Sequence, residues 1–255
     1  MRRLLVLVPL LLLAGCVREI FPPLFGTVDV VFRATVPQPS FAAQSSPAPY
    51  DPVLVVRGSN GELRITDLRI AVRGARLESA PGACDTPGAD AAAGCWVLPH
   101  GGPGVLASET GGYLGHRRIG RRSIAGLRID FGTLAETAVD PGFLEWNLRA
   151  FPDWPAAAGI GAAGTFQPDG GAPRPFRVYL APPPEASIRV EPALRVHPDR
   201  YHQITGGVDL AEWFLTDGAV LDLSAHHFPA TGALLDLGER TARGFFAVPA
   251  ERRYF

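Results

Sequence analysis

The sequence predicts a mainly β protein built as an antiparallel β-sandwich, one elaborated sandwich or two packed ones, with a short C-terminal helix. Many short segments alternate apolar and polar residues with the period of two that is typical of half-buried strands. Turn signals separate these segments, and the 255 residues include 29 Gly and 25 Pro. Long helical segments do not alternate with the strands, which argues against a doubly wound α/β fold.

The N-terminus has the layout of a secretory signal peptide. Arg2 and Arg3 precede a leucine-rich run over residues 4–14, which ends in Leu13-Ala14-Gly15-Cys16. A positively charged start, an apolar core and small residues are the parts of such a signal. A membrane span is disfavoured because this run, as a helix, covers about 17 Å of a hydrocarbon layer about 30 Å thick.

The tetrapeptide that ends this run resembles the lipobox of bacterial lipoproteins. In that family the cysteine thiol is lipidated, the signal is removed just before it, and the new amino terminus is usually acylated. The resemblance implies a signal peptide over 1–15, acyl chains such as palmitate on Cys16, and membrane lipid as a partner. Val17 is not the aspartate that retains some lipoproteins in the inner membrane, so the resemblance implies the periplasmic face of the outer membrane. An ordinary cleaved signal is the alternative.

The mature chain divides into a tether and a folded region. Residues 16–25 are predicted to form the lipidated tether, which Pro22 and Pro23 stiffen. The β-sandwich region covers 26–255. A segment rich in Ala and Gly near 152–164 is the candidate for an internal domain boundary, and one undivided domain is the alternative.

Strands are predicted wherever the alternation is sustained. The segment 63–77 has the clearest pattern, and its change of phase at Thr66-Asp67 predicts a bulge or bend. Ser59-Asn60-Gly61 predicts a hairpin turn before it. The predicted strands are 26–34, 53–56, 63–77, 95–98, 123–131, 143–148, 176–180, 188–196 and 202–208. Helical spacing of apolar residues predicts a single turn at 210–214 and a terminal helix at 233–246.

Cysteine usage predicts one disulfide. With Cys16 assigned to lipid, Cys84 and Cys95 remain as an even pair in a chain sent to an oxidising compartment. A disulfide closing this loop stabilises the fold by about 3 kcal/mol in the loop-entropy model. Zinc binding is the alternative, disfavoured because the two cysteines do not form a CxxC motif.

The charged residues exclude several functions. All 24 basic residues are arginine. The absence of lysine excludes a Walker-type phosphate loop and Schiff-base catalysis. Loss of Arg2 and Arg3 with the signal changes the formal net charge from −1 to −3. This near-neutral balance argues against a nucleic-acid partner, which requires a basic surface.

Histidines offer two candidate metal sites. His226 and His227 lie near Asp222, and a turn at Phe228-Pro229 would let the adjacent histidines share an ion despite pointing to opposite faces of a strand. The second group is His197, His202 and Asp199. We expect solvated or core histidines, and therefore predict neither a metal nor another cofactor.

Two further patterns suggest catalysis. His100-Gly101-Gly102-Pro103-Gly104 resembles the oxyanion-hole string of some α/β-hydrolase peptidases, but the chain has no G-x-S-x-G nucleophile motif, so we predict a turn. The other pattern comprises Asp209, Glu212, Trp213 and Asp217. Carboxylates beside an aromatic residue suit a sugar site, but a short amphipathic turn on the sandwich is favoured. We predict no catalytic residue and no enzymatic activity.

A group of arginines lies in one loop region. It consists of Arg117, Arg118, Arg121 and Arg122. Such a group suits the phosphate of an anionic lipid or a glycan at a membrane surface. A solvated loop beside a strand is the alternative.

Two family resemblances cover the mature chain. The order of "GTVDVV", "SIAGLRIDFG" and "VDLAEWF" resembles bacterial lipoproteins with immunoglobulin-like or transthyretin-like sandwich domains. The segment "LRITDLRIAVRGARL" followed by "IAGLRIDFG" is similar to the periplasmic copper-associated MbnP-like group. We therefore expect a lipid-anchored cell-envelope protein with a non-catalytic binding or structural role, whose partner is an envelope protein or glycan. The alternatives are a periplasmic copper-binding protein and a carbohydrate-active enzyme.

Overall fold

The computed structural model describes residues 25–35, 53–98, 104–107, 112–137, 141–183, 185–198 and 200–252. The predicted signal peptide, Cys16 and the tether before Phe25 lie outside these ranges, as do His100 and Asp199. The described chain is mainly β with short helices, which confirms the predicted fold class.

The elements follow one another along the chain in this order. The strands are β1 (Gly26–Thr35), β2 (Leu54–Gly58), β3 (Gly61–Glu78), β4 (Cys95–Val97), β5 (Gly104–Ala107), β6 (Gly112–Ile119), β7 (Ser123–Phe131), β8 (Ile160–Pro168), β9 (Arg174–Leu180), β10 (Ala186–Arg195), β11 (Tyr201–Asp209), β12 (Leu215–Thr216), β13 (Ala219–Val220) and β14 (Phe245–Arg252). The α-helices are α1 (Leu134–Thr137), α2 (Pro141–Ala150), α3 (Leu210–Phe214) and α4 (Phe228–Thr231). Two 3-10 helices cover Leu223–His226 and Gly238–Ala242.

A 12-stranded mixed sheet dominates the molecule and curls into a half-barrel. Its hydrogen-bonded order is β6-β1-β11-β14-β10-β7-β3-β8-β9, with β2, β4 and β5 paired to β3 off this path. Most pairs are antiparallel, as predicted. However, β1 and β11 are parallel along their length, and β10 meets β14 in parallel at Val190 and Ala247. Strands β12 and β13 form a separate small sheet.

The long strand β3 joins the two parts of this sheet. Its first half pairs with β2 and β8, and its second half pairs with β7 and β4. The ladder to β8 shifts register between Ile65 and Asp67, which confirms the bulge predicted at Thr66-Asp67. Gly58 pairs with Gly61 across the predicted hairpin turn.

One main hydrophobic cluster lies inside the curled sheet. It contains residues from before and after the segment 152–164, including Leu63 and Ile129 on one side and Phe176 and Trp213 on the other. The loop before β8 and the first residues of β8 occupy that segment. The domain boundary suggested there stays a prediction.

Residues 143–148 form part of helix α2, so the predicted strand is wrong. Pro141 opens this helix at a position where its missing N–H costs no hydrogen bond. The fully buried Asn147 accepts a hydrogen bond at Oδ1 from Nη1 of Arg69, 2.9 Å away. The prediction failed because a short apolar run does not distinguish a strand from a helix.

Arg69 connects helix α2 to β3. Its side chain is only 4% exposed, and both of its other guanidinium nitrogens donate to Asp67 at 3.1 Å. The guanidinium carbon also lies 5.5 Å from the centroid of the Phe151 ring. These contacts satisfy a buried charge, which is otherwise costly.

The predicted helix over 233–246 is present only as the 3-10 helix Gly238–Ala242. Gly244, with a φ of 77°, ends this region, and Phe245 and Phe246 begin β14 instead. Opposite Phe246 in β11 lies Gly207, where an added Cβ would come within 2.4 Å of the Phe246 ring. The apolar spacing that suggested a helix therefore belongs partly to a strand that packs over a glycine.

Candidate functional site

Several strand ends meet at one end of the curled sheet. Strands β1, β7 and β11 begin there, and β6, β10 and β14 end there, because Gly26 pairs with Ile119, Ser123 with Arg195, and Tyr201 with Arg252. The basic side chains at this end are those of Arg117, Arg118, Arg121, Arg122, Arg195 and Arg200. We call these arginines and the strand ends that carry them the basic end.

A cleft of about 700 Å³ opens at the basic end. Its lining consists of Arg121, Arg122, Ser123, Arg195, Val196 and His197, which we call the arginine cleft. The turn between β6 and β7 supplies the first two arginines, and the end of β10 supplies the third. The Val196 N–H donates to the Arg122 carbonyl at 2.8 Å, which holds the two walls together.

The register of β10 determines where Arg195 lies. The ladder between β10 and β7 is interrupted between Arg189 and Leu194, after which Arg195 pairs with Ser123. Such an irregularity changes the direction of a strand and re-aims its side chains. Arg195 thereby lies beside the turn that carries the other two cleft arginines.

The arginines of the cleft carry uncompensated charge. Arg121, Arg122 and Arg195 are exposed, and none of them forms an ion pair with any residue that the structure describes. The nearby carboxylate Asp29 accepts a hydrogen bond from the Tyr201 hydroxyl. A guanidinium group presents planar, parallel donors that fit phosphate and carboxylate oxygens. The cleft is therefore suited to an anionic group.

Two histidines that are close in sequence also meet in the structure. His197 lines the cleft, and His202 contacts it from the interior. His202 is fully buried on β11, and its Nε2 lies 2.9 Å from the backbone nitrogen and 3.2 Å from the carbonyl oxygen of His197. Without a proton, Nε2 of His202 accepts from the His197 N–H. With a proton, it donates to the His197 carbonyl oxygen. The two rings stack with centroids 6.3 Å apart. Nδ1 of His202 has no hydrogen-bond partner among the described residues.

The chain enters the described fold at this same end. An added Cβ on Gly26 would lie 2.5 Å from the His197 carbonyl oxygen, so only glycine permits this close approach of the two backbones. The preceding Phe25 is 48% exposed, and the guanidinium carbon of Arg118 lies 5.8 Å from its ring centroid. The segment that leads back toward Cys16 therefore starts beside the arginine cleft.

Of the candidate ligands His226, His227 and Asp222, the last two are engaged in other hydrogen bonds. Asp222 accepts hydrogen bonds from Arg174 at 2.8 Å and from the Ser224 N–H at 3.1 Å. The Arg177 backbone N–H donates to Nδ1 of His227 at 2.9 Å, so the other ring nitrogen carries the proton of the neutral imidazole.

No group of three His, Cys, Asp or Glu residues in the described chain is placed to hold a metal ion. His226 is exposed at the end of a 3-10 helix, while His227 is tied to β9. The geometry thus gives no support to a copper site at these residues.

The acidic group around Trp213 forms a helix cap. Asp209 accepts a hydrogen bond from the Ala211 N–H at 2.8 Å and begins α3, which confirms the turn predicted at 210–214. Burial and the Glu212 charge raise the pKa of Asp209, although the Ala211 hydrogen bond opposes this. Trp213 is fully buried and donates to the Arg243 carbonyl, so its ring offers no sugar platform.

The remaining members of the two catalytic patterns do not join a cleft. Asp217 occupies the tight turn between β12 and β13 with a φ of 51°. Gly104 begins β5, and the rest of the segment 100–104 lies outside the described residues.

A half-buried carboxylate, Asp153, forms a hydrogen-bond network that no sequence pattern indicated. The hydroxyl of the buried Tyr179 donates to Oδ1 of Asp153 at 2.6 Å, and Arg177 donates to Oδ2 at 2.8 Å. Burial by itself raises the pKa of Asp153, but these two hydrogen bonds outweigh it and the pKa is lowered. Burial and the Asp153 charge raise the pKa of Tyr179. The Tyr179 ring packs against the rings of Phe151, Trp154 and Phe228. The network therefore stabilises the fold.

The predicted disulfide between Cys84 and Cys95 is confirmed. It secures a loop that covers the fully buried Glu78, whose Oε1 accepts from the Cys84 N–H at 3.1 Å. Arg128 pairs with Glu185 at 2.5 Å and with Asp85 in the same loop. The opposing charges raise the pKa of Arg128 although burial lowers it.

The structure brings together, in one cleft, residues from two groups that are separate in the sequence. Arg121 and Arg122 came from the arginine group, and His197 came from the histidine group. Arg195 was not singled out, because one arginine at a strand end carries no local signal. Within the described part of the chain, no helix is both long and apolar enough to cross a bilayer.

The resemblances to bacterial lipoproteins and to the MbnP-like group rest on sequence motifs, and the copper site that the second implies stays a prediction. No family model, curated protein or solved structure matches the chain.

Proposed function

We propose that this protein is a lipid-anchored component of the cell envelope with a non-catalytic binding role, and that the arginine cleft binds an anionic group such as phosphate. The observation that carries this proposal is the juxtaposition of Arg121, Arg122 and Arg195 without ion-pair partners in the described chain. Exposed arginines that converge from two strand ends provide charge and directional donors at one place.

The chemistry of the cleft favours recognition over catalysis. Ser123 is its only hydroxyl side chain among the lining residues, and His197 its only imidazole. No hydrogen bond joins Ser123 to His197 or to another base within the described residues. A serine without an adjacent base remains a weak nucleophile. The guanidinium groups, by contrast, bind an anion without any activation.

Two features support the envelope location. The N-terminal segment resembles a lipobox signal, with Cys16 as the acylated residue. The disulfide between Cys84 and Cys95 suits an oxidising compartment outside the cytoplasm. By the same resemblance the outer membrane, on its periplasmic face, is the proposed site of the anchor.

Lipidation is tested by metabolic labelling of the full-length chain in a bacterial host. We expect labelled palmitate on the wild type and its loss in Cys16→Ala, because that variant lacks the thiol that would carry the acyl group. The double variant Cys84→Ala, Cys95→Ala serves as the control and should keep the label. A Cys16→Ala protein that keeps the palmitate label would contradict the anchor.

The binding site is tested with inorganic phosphate as the probe, by calorimetric titration of the purified protein. Replacing Arg121, Arg122 and Arg195 by Gln should weaken binding at least tenfold, since one charge-assisted hydrogen bond contributes about 1.5–3 kcal/mol. The matched control replaces Arg57, Arg149 and Arg243, which are exposed arginines elsewhere on the surface. Equal affinities of the two triple variants would rule out the cleft.

A further inference from the structure

We infer that the basic end docks on anionic phospholipid head groups of the membrane that carries the lipid anchor, and so fixes how the β domain is oriented on that membrane. This inference rests on the proposed function and names the source of the anionic groups. Three independent features of the basic end carry it: its place relative to the chain entry, its charge and its exposed aromatic residue.

The first feature is the short connection to the anchor. Nine residue steps separate Cys16 from Phe25. A fully extended chain spans at most about 3.6 Å per residue, so Phe25 lies within about 32 Å of the acylated residue. Gly26 packs against His197, which lines the arginine cleft. The cleft therefore lies within a similar distance of the acylated residue.

The second feature is positive charge. The cleft contains the three guanidinium groups of Arg121, Arg122 and Arg195. Arg117 and Arg118 on β6 add to the same end. Anionic leaflets attract such residues, each of which strengthens membrane association about fivefold near the surface.

The carboxylates at this end do not cancel that charge. Asp29 accepts a hydrogen bond from the neutral Tyr201 hydroxyl and keeps its negative charge. Asp199 and the side chain of Glu251 lie outside the described residues. Even if both are ionised, the arginines of the basic end outnumber the carboxylates named here.

The third feature is Phe25. Its ring is half exposed and lies under the Arg118 guanidinium at the point where the chain enters the fold. An aromatic ring beside cationic groups suits the boundary between lipid head groups and acyl chains. The arrangement thus provides both an electrostatic and an apolar contact with a bilayer surface.

The experiment uses the full-length protein reconstituted in two sets of vesicles, phosphatidylcholine alone and phosphatidylcholine with phosphatidylglycerol. Flotation reports the anchor, and amide hydrogen exchange of residues 112–126 reports docking. Three arginines at about fivefold each raise the ratio of docked to free protein about a hundredfold, so exchange there should slow at least about tenfold on anionic vesicles. About 1 M salt should abolish the difference, because the Debye length then falls to about 3 Å.

Charge-matched variants decide whether the basic end is responsible. Replacing Arg121, Arg122 and Arg195 by Gln should remove the slowing, while replacing Arg57, Arg149 and Arg243 by Gln should leave it intact. Flotation with both vesicle types but equal exchange would overturn docking and leave the anchor standing. Flotation with anionic vesicles only, together with slowed exchange, would support docking and contradict the anchor. Equal slowing by inorganic phosphate on neutral vesicles would assign the cleft to a soluble anion and overturn the inference.

Discussion

At the residue scale, Asp153 shows how a carboxylate stabilises this fold. It receives hydrogen bonds from a buried tyrosine hydroxyl and from Arg177, and these lower its pKa despite burial. A lowered pKa in the folded state means that the ionised form favours folding. The stabilisation is present above the ordinary pKa of aspartate and is lost as the pH falls through the lower pKa of the folded state.

We predict that Asp153→Asn lowers the free energy of unfolding by about 1–3 kcal/mol at neutral pH, because Tyr179 and Arg177 lose a charged acceptor. The difference from the wild type should begin to shrink as the pH falls below about 4, where the carboxylate of the unfolded chain becomes protonated. It should vanish only once the pH has fallen through the lower pKa of the folded state. Urea unfolding at several pH values measures both effects.

The control for this experiment is Asp169→Asn, at an exposed carboxylate in the turn after β8. It should change stability by less than about 0.5 kcal/mol. A pH-independent difference between Asp153→Asn and the wild type would show that the charge of Asp153 is irrelevant.

At the scale of elements, strands with regular alternation were predicted and those without it were missed. β3 and β7 alternate clearly and were found with their bulge and boundaries nearly correct. The first residues of β8 fall in the Ala- and Gly-rich segment 152–164, for which no strand was predicted. Its Gly161 instead makes room for aromatic rings, since an added Cβ would lie 3.2 Å from the Phe151 ring. Such a requirement is invisible until the partner is known.

Strand β14 shows the same limit. Phe246 needs the space left by Gly207, and an added Cβ there would also lie 2.6 Å from the Arg33 carbonyl oxygen. Sequence patterns contain no information about which strand lies opposite. The pairing of β14 with β11 therefore had to come from the structure.

We predict that Gly207→Ala destabilises the protein by about 1–3 kcal/mol, because a methyl group there overpacks against Phe246 and the backbone of β1. The control is Gly74→Ala in β3, where the nearest atom to an added Cβ is Asp130 Oδ2 at 3.8 Å. Denaturant midpoints compare the two variants. Equal effects of both substitutions would contradict the packing argument.

At the scale of the whole molecule, the functional site depends on topology. Arg122 and Arg195 are far apart in sequence, and they meet because β10 pairs with β7 at Ser123. The sequence identified the arginine group and His197 separately but had no means to bring them together. The lipobox-like sequence that ends at Cys16, by contrast, is a local motif that requires no knowledge of the fold.

The single main core predicts how the molecule unfolds. Residues on both sides of 152–164 share one hydrophobic cluster, so we expect one cooperative transition in urea with coincident tryptophan fluorescence and far-UV circular dichroism. Destabilising one side, as in Gly207→Ala, should shift both signals together. Two separated transitions would instead support a domain boundary in that segment.

Strand β1 also determines how the protein bears mechanical load. It lies between β6 and β11 and is hydrogen-bonded to both along its length. A pull on the chain before Gly26, directed along the strand, must shear two ladders at once, whereas an edge strand can be peeled off bond by bond. Tension on the segment before Gly26 is therefore resisted by an interior strand of the sheet.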